Sequence, residues 1–290
     1  MARTVNKAHA TEFGFQLDDD WSNLPQDRTT GLIAVATDSK DSVYLFKRHP
    51  IPLVVLDKDR NYVTSWGEGP LEGAHGIFID EEDNLYLPAM DSSVILKYSP
   101  EGNLLMTLGT RGLESDTGYE GNWREPPPRA AGPFNRPSDV AVASSGDIYV
   151  SDGYGNARVH AFTPTGELVR SWGQPGKTAP GDFHLPHGIW VHADGRIFVA
   201  DRQNDRIQIF APDGCFLNQW SGLRNPCDIF IGRDDLVYVA ELDSLVAIFT
   251  LTGELLARWS SPTSDEHMRG GHSIWLDTRG DIYVVQYQAQ

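Results

Sequence analysis

The strongest constraint on the fold is an internal repeat. Each copy reads as a short apolar strand, an acidic or glycine-containing turn, an aromatic-rich strand, and a third and fourth strand. Clear copies span residues 74–109, 137–173 and 186–220, weaker ones begin near Gly31 and Asn225, and a half copy begins at His272. Repeats of about 40–45 residues with four strands each are typical of β-propeller blades. We therefore predict one all-β domain over residues 1–290, a six-bladed β-propeller.

The sixth copy contains only two clear strands. We expect the N-terminal segment 12–17 to add an outer strand to this last blade, which would close the ring and remove its open edges. The alternative is an unclosed β-solenoid. Apolar and polar residues alternate along the strands, a pattern typical of half-buried strands.

Composition limits the partners and the compartment. The net charge is −16 and is spread along the 290 residues, which argues against nucleic acid and against an anionic membrane surface. No stretch approaches the roughly 20 apolar residues of a membrane span, and residues 1–21 contain no apolar signal segment. With only two cysteines, Cys215 and Cys227, we expect a reduced, cytoplasmic protein.

Histidine recurs at one register position in alternate copies. Aligned at the start of each first strand, the copies place there Gly31, His75, Ser138, His187, Cys227 and His272. A single histidine at this turn is more typical of a structural role. Three in alternate blades of a six-fold ring would converge on the axis, and three neutral imidazoles with an open fourth position are typical of catalytic zinc. The pattern predicts zinc, or another divalent transition metal, since imidazole also suits copper, iron and nickel.

The loops that follow the second strands open on the same face as these histidines. They carry Arg48 in blade one, Tyr154 in blade three and Arg202 in blade four. An arginine fork suits a carboxylate, and a tyrosine beside a divalent cation can act as a base. The alternative for each arginine is a surface ion pair.

Two further features accompany these loops. Asp152 with Asn156 and Arg158 recurs as Asp201 with Asn204 and Arg206, and we interpret both sets as fixing the turn into the third strand. Residues 111–133 interrupt the repeat between blades two and three. A loop of this length is commonly functional, and we predict that it covers the metal site.

The segments 185–191 (LPHGIWV), 151–159 (SDGYGNARV) and 200–210 (ADRQNDRIQIF) resemble the peptidyl-α-hydroxyglycine α-amidating lyases, a family of NHL-repeat propellers. The resemblance covers most of the chain. It implies that His75, His187 and His272 bind zinc and that Tyr154 is the base. It also implies that Arg48 and Arg202 are active-site arginines.

The chain departs from this family around the third histidine. Animal members have Met-Pro-His-Asp there, whereas this chain has Gly270-Gly271-His272-Ser273. The missing aspartate helps to hold a structural calcium in the family, which makes calcium doubtful here. The cysteine beside the family tyrosine is replaced by Gly155, which fits a reduced compartment.

These observations predict a metal-dependent lyase that cleaves the C–N bond of an α-hydroxylated amide or amine. The expected substrate is a small molecule with a carboxylate, and the products would be an amide or amine and a carbonyl compound such as glyoxylate. Two alternatives remain open. One is a non-catalytic propeller that binds a protein partner, which would have no need for three alternating histidines. The other is a metal-dependent hydrolase of lactones or esters.

Overall fold

The fold is described from a computed structural model over residues 2–3, 24, 30–48, 51–67, 69, 71, 73–260 and 268–288. In these ranges the regular structure consists of β-strands and two short 3-10 turns, Met90–Ser92 and Arg202–Asn204. No helix among them has the length and hydropathy of a membrane span. The chain divides into two compact units. Unit 1 is Met1–Gly69 with Cys227–Gln290, and unit 2 is Pro70–Pro226.

The strands are numbered along the chain, beginning with β1 (Ala2–Arg3). Blade one is β2 (Leu32–Thr37), β3 (Val43–Lys47), β4 (Leu53–Leu56) and β5 (Tyr62–Trp66); blade two is β6 (Phe78–Ile79), β7 (Leu85–Ala89), β8 (Val94–Tyr98) and β9 (Leu104–Leu108). Blade three is β10 (Asp139–Val142), β11 (Ile148–Asp152), β12 (Arg158–Phe162) and β13 (Leu168–Trp172), and a small parallel pair, β14 (Gln174–Pro175) and β15 (Asp182–Phe183), follows it. Blade four is β16 (Pro186–Val191), β17 (Ile197–Asp201), β18 (Arg206–Phe210) and β19 (Phe216–Ser221). Blade five is β20 (Pro226–Ile231), β21 (Leu236–Glu241), β22 (Val246–Thr250) and β23 (Leu255–Trp259), and the last sheet contains β24 (Met268–Leu276) and β25 (Ile282–Gln288). In each blade the four strands pair in sequence order.

The predicted count of six blades is corrected. The described residues contain five four-stranded blades, and the last sheet has three strands in the order β1-β25-β24. It is smaller because the sixth repeat copy supplies only two strands. An N-terminal strand does join this sheet, but it is Ala2–Arg3, which pairs with Val285 and Val284. The predicted segment 12–17 lies outside the described residues.

The interpretation of the strands as half-buried is wrong for most of the inner strands. In blade one β2, β3 and β4 are buried at every residue, and only the outermost strand, β5, is exposed along its first three residues. Packing between neighbouring blades explains this burial. In unit 2, blade three packs face to face with blade two on one side and with blade four on the other. Trp172 of blade three, for example, packs on Phe210 of blade four with ring centroids 5.8 Å apart. Each fully buried Phe or Leu in such a core contributes about 1.5–3 kcal/mol.

Candidate metal and catalytic site

Two of the predicted histidines lie together in unit 2. His75 precedes β6 in blade two and is 1% exposed, and His187 lies in β16 of blade four and is 2% exposed. Their ring centroids are 4.7 Å apart at an interplanar angle of 65°. Buried imidazoles need polar partners, since an unsatisfied polar group costs free energy inside a protein.

Tyr154 is the shared partner of these two histidines. Its hydroxyl oxygen lies 3.1 Å from His75 Nε2 and 3.2 Å from His187 Nε2. A phenol has one proton, so it can donate to only one of the two nitrogens at a time. Both Nε2 atoms therefore point at one spot, which is an arrangement suited to a shared cation.

The turn that carries Tyr154 depends on the glycine on each side of it. A Cβ at Gly153 would lie 2.0 Å from Pro186 O, and a Cβ at Gly155 would lie 2.0 Å from Asn135 Oδ1. Only glycine permits such close approach of the backbone. The sequence Asp-Gly-Tyr-Gly, which begins at the last residue of β11, therefore brings the turn with Tyr154 against the first strand of blade four.

The orientation of His75 is set by the main chain of the next blade. Its Nδ1 lies 2.7 Å from Ser138 O. A carbonyl oxygen only accepts hydrogen bonds, so Nδ1 carries the proton and, in the neutral ring, Nε2 keeps its lone pair. This is the tautomer that a metal ligand needs, with the second nitrogen held by a backbone oxygen.

Arg202 also contacts the tyrosine. It follows β17, is 4% exposed, and donates from Nη1 to the Tyr154 hydroxyl over 3.3 Å. Its Cζ atom lies 5.5 Å from the centroid of the Tyr154 ring and 5.3 Å from that of Trp123. Aromatic faces at these distances stabilise a buried guanidinium.

The turn at Arg202 is fixed by the residues that the repeat predicted. The buried carboxylate of Asp201 accepts from Asn204 Nδ2 at 2.8 Å and from Arg206 Nε at 2.7 Å. In blade three, Asp152 accepts from Asn156 Nδ2 at 2.9 Å. The predicted turn contacts are present for Asp201 with both partners and for Asp152 with Asn156, whereas Arg158 donates to Ser171 O instead.

The insertion at residues 111–133 reaches the site through Trp123. Asn135 holds its first half, donating from Nδ2 to Ser115 O and Thr117 Oγ1, both at 3.0 Å. Asn156 holds its other end by donating to Ala131 O at 3.3 Å. The indole of Trp123 lies against Arg202. That the insertion covers the metal site stays a prediction.

Tyr119, in the insertion, and His184, near it, have altered pKa values. Burial raises the pKa of Tyr119, and the nearby Tyr154 adds to this, although Arg136 opposes it. Burial lowers the pKa of His184, and the positive charges of Lys177 and Arg202 lower it further. His184 is therefore neutral near neutral pH and adds no positive charge beside Arg202.

The third predicted histidine belongs to unit 1. His272 lies in β24, is 4% exposed, and has its Nδ1 2.9 Å from Ile33 O. Its neutral ring therefore has the same tautomer as that of His75. The glycines before it are required by packing, because a Cβ at Gly270 would lie 1.6 Å from Ser244 O and one at Gly271 would lie 2.3 Å from Leu245 O.

Hydrogen bonds between neighbouring blades correct the residue that we assigned to the histidine register position in blade one. The amide of Ile189, two residues after His187, donates to Asp139 Oδ2, and the amide of Ile274, two residues after His272, donates to Asp228 Oδ2. The corresponding bond in blade one runs from Val35 N to Ser273 Oγ at 3.3 Å. Ile33, two residues before Val35, therefore occupies the register position, and not Gly31. The sequence alignment missed this because both glycine and isoleucine fit the start of an apolar strand.

Arg48 lies in unit 1, directly after β3, and is exposed. Its backbone amide donates to Gly31 O at 2.9 Å. Its predicted role toward a carboxylate stays a prediction.

Comparison with known proteins first defines the class. A model of the NHL repeat family matches residues 134–162 and 183–210, within blades three and four. Over 99% of the chain, the fold is similar to a gluconolactonase from Xanthomonas campestris, with a TM-score of 0.68, 16% identity and 92% of that chain covered. The protein is an all-β propeller with NHL repeats.

The resemblance to amidating lyases is confirmed, but these matches cover part of the chain and not most of it. The chain is 33% identical to peptidyl-alpha-hydroxyglycine alpha-amidating lyase 1 of Drosophila melanogaster over 107 residues, which is 36% of this chain and 17% of that protein. It is 30% identical to human NHL repeat-containing protein 3 over 224 residues, 73% of this chain and 60% of that protein. The chain thus spans less than two thirds of the length of each relative.

Proposed function

We propose that this protein is a metal-dependent lyase that cleaves the C–N bond of an α-hydroxylated amide or amine. The observation that carries the proposal is the position of the Tyr154 hydroxyl, 3.1 and 3.2 Å from the Nε2 atoms of His75 and His187 and 3.3 Å from Arg202 Nη1. The hydroxyl oxygen of the proposed base thus lies within hydrogen-bonding distance of two proposed metal ligands and of an arginine that suits a carboxylate. This combination suits a reaction in which a hydroxyl loses its proton.

The proposed ligands are His75, His187 and His272. What supports the third is its place in the repeat and its tautomer, which matches that of His75 because each Nδ1 lies against a main-chain carbonyl. Three neutral imidazoles fit zinc, or another divalent transition metal, and leave a position for substrate. A divalent ion held there would supply a Lewis acid that favours deprotonation of the substrate hydroxyl.

The side chains would then handle the substrate and its proton. Arg202, together with Arg48, would bind the carboxylate of the substrate as a fork. Tyr154 would act as the base that accepts the hydroxyl proton. The O–H electron pair forms the carbonyl, the C–N bond breaks, and the leaving nitrogen takes the proton from Tyr154. An N-acyl-α-hydroxyglycine would thus give a primary amide and glyoxylate.

We also propose a cytoplasmic location for this activity. Neither cysteine forms a disulfide, with Cys215 exposed and Cys227 buried, which agrees with a reducing compartment.

The test is the release of glyoxylate from N-benzoyl-α-hydroxyglycine by metal-loaded protein. Tyr154→Phe should keep its metal and lower kcat by about 10²- to 10⁴-fold, the usual contribution of a general base. Tyr119→Phe is the matched control, since it removes a neighbouring hydroxyl in the insertion. Full activity in Tyr154→Phe would remove the tyrosine from the mechanism. If the wild-type protein releases no glyoxylate but opens lactones, the hydrolase alternative replaces the lyase.

A further inference from the structure

Trp123 contacts two arginines, one buried and one exposed. Its ring centroid lies 5.3 Å from Cζ of the buried Arg202 and 5.0 Å from Cζ of the exposed Arg124. Both distances are within the range of a cation–π interaction, which is stronger where water is excluded. The contact with Arg202 is therefore the more important of the two.

Arg202 lies against two aromatic rings. The Tyr154 ring is 5.5 Å from its Cζ atom and Trp123 is 5.3 Å away, while Nη1 donates to the Tyr154 hydroxyl. An arginine side chain has many rotamers, and fixing them before a ligand binds lowers the cost of binding. Aromatic contacts occupy the faces of a guanidinium and leave its N–H edges available for a planar, two-pronged contact with a carboxylate.

The position of Trp123 is set by main-chain anchors of the insertion. Asn135 and Asn156 hold its two ends through buried or partly buried hydrogen bonds to backbone atoms. The ion pair of Glu125 with Lys177 spans 3.4 Å between side chains that are 67% and 58% exposed. A pair this exposed stabilises little. The indole is thus presented to Arg202 by the fold of the insertion.

We infer that Trp123 is a positioning residue that holds Arg202 for the carboxylate of the substrate, so that the insertion makes the site selective for small anionic substrates over neutral ones. This inference rests on the proposed lyase function. It assigns the insertion a role in substrate choice, because Trp123 acts through Arg202 and leaves the histidines and Tyr154 unchanged.

The first experiment compares two substrates, N-benzoyl-α-hydroxyglycine and its primary amide, N-benzoyl-α-hydroxyglycinamide. In Trp123→Ala, kcat/KM for the acid should fall about 2- to 30-fold, mainly through KM, and kcat/KM for the amide should change much less. Trp123→Phe should restore most of the preference, since it retains an aromatic face. Arg124→Ala is the matched control, because it removes the exposed guanidinium from the same indole, and it should keep the preference. An equal loss on both substrates, or an unchanged preference in Trp123→Ala, would overturn the inference.

The second experiment does not depend on turnover. The 15N NMR signal of Arg202 Nε–H, assigned by its absence in Arg202→Lys, should be shifted by the two rings in the wild-type protein. That shift should be lost in Trp123→Ala and kept in Arg124→Ala. Calorimetry with N-benzoylglycine as probe should show the same 2- to 30-fold weakening. If the wild-type protein processes neither hydroxylated compound, the lyase proposal fails, and the NMR signal and the binding of N-benzoylglycine still decide the role of Trp123.

Discussion

Replacing Glu241 by Gln should destabilise unit 1 and also disturb the strand that carries His272. Glu241 ends β21 and is fully buried, and its carboxylate accepts from Arg258 Nε at 2.8 Å and from Arg258 Nη2 at 3.0 Å. Ser244 Oγ donates to the same carboxylate. Glutamine would keep one acceptor oxygen, place an amide NH₂ against a donor, and leave the guanidinium without its counter-charge.

The size of the effect follows from the burial of the pair. Breaking a buried ion pair costs about 3–5 kcal/mol. The Arg258 side chain keeps 15% exposure, so we expect the lower end, about 3 kcal/mol. At roughly 2 °C per kcal/mol for a domain of this size, Tm should fall by about 6 °C. The turn after Glu241 also accepts the Gly270 amide at Leu242 O over 2.8 Å, so metal affinity should fall as well.

Thermal unfolding followed by circular dichroism and by tryptophan fluorescence would measure this change, with metal content determined on the same samples. The matched control is Asp194→Asn. Asp194 pairs with Arg196 at 2.8 Å and contacts His192 Nδ1 at 2.9 Å, but its side chain is 45% exposed, and such exposed pairs contribute about 1 kcal/mol or less each. The reasoning is refuted if Glu241→Gln melts within about 2 °C of the wild type, or if Asp194→Asn loses as much stability.

Three more outcomes are expected. His187→Ala should lose bound transition metal by elemental analysis, because a three-ligand site has no spare ligand; full occupancy would contradict the ligand assignment. Deleting residues 1–20 removes β1 and should lower Tm by exposing the edge of β25, so an unchanged Tm counts against that role. Burial raises the pKa of Tyr283 to about 12, so its contribution to stability is complete below about pH 10 and lost as the pH rises through 12; urea unfolding at pH 9 and pH 11 should show a smaller decrease in Tyr283→Phe.

The repeat made the propeller and the convergence of its loops predictable. Strand order within a blade follows from short turns, and the end of each second strand then defines the face on which Tyr154 and Arg202 meet. The pairing of His75 with His187 followed from the register in the same way. These features follow from the spacing of residues within each copy of the repeat, which the sequence shows directly.

What the sequence could not supply depends on contacts between distant segments. Asp152 and Asp201 were recognised because their partners follow within a few residues, whereas Glu241 ends the equivalent strand of blade five and pairs with an arginine 17 positions along the chain. Trp123 was recognisable only as an aromatic in a long insertion, since nothing local indicates that it reaches Arg202. The predicted blade count was wrong because the two strands of the sixth copy have the same sequence pattern in a four-stranded blade as in a smaller sheet.

Main-chain oxygen atoms orient His75 and His272, at Ser138 and Ile33 respectively. A carbonyl is present whatever side chain its residue carries, so serine in one blade and isoleucine in another serve equally well. Mutations at these two positions can therefore accumulate without changing the tautomer of either imidazole, provided that the strands keep their places. The same logic offers a route for protein engineering. Histidines introduced at this register in another propeller would meet a ready-made acceptor in the next blade, and the designer would not need to build one from side chains.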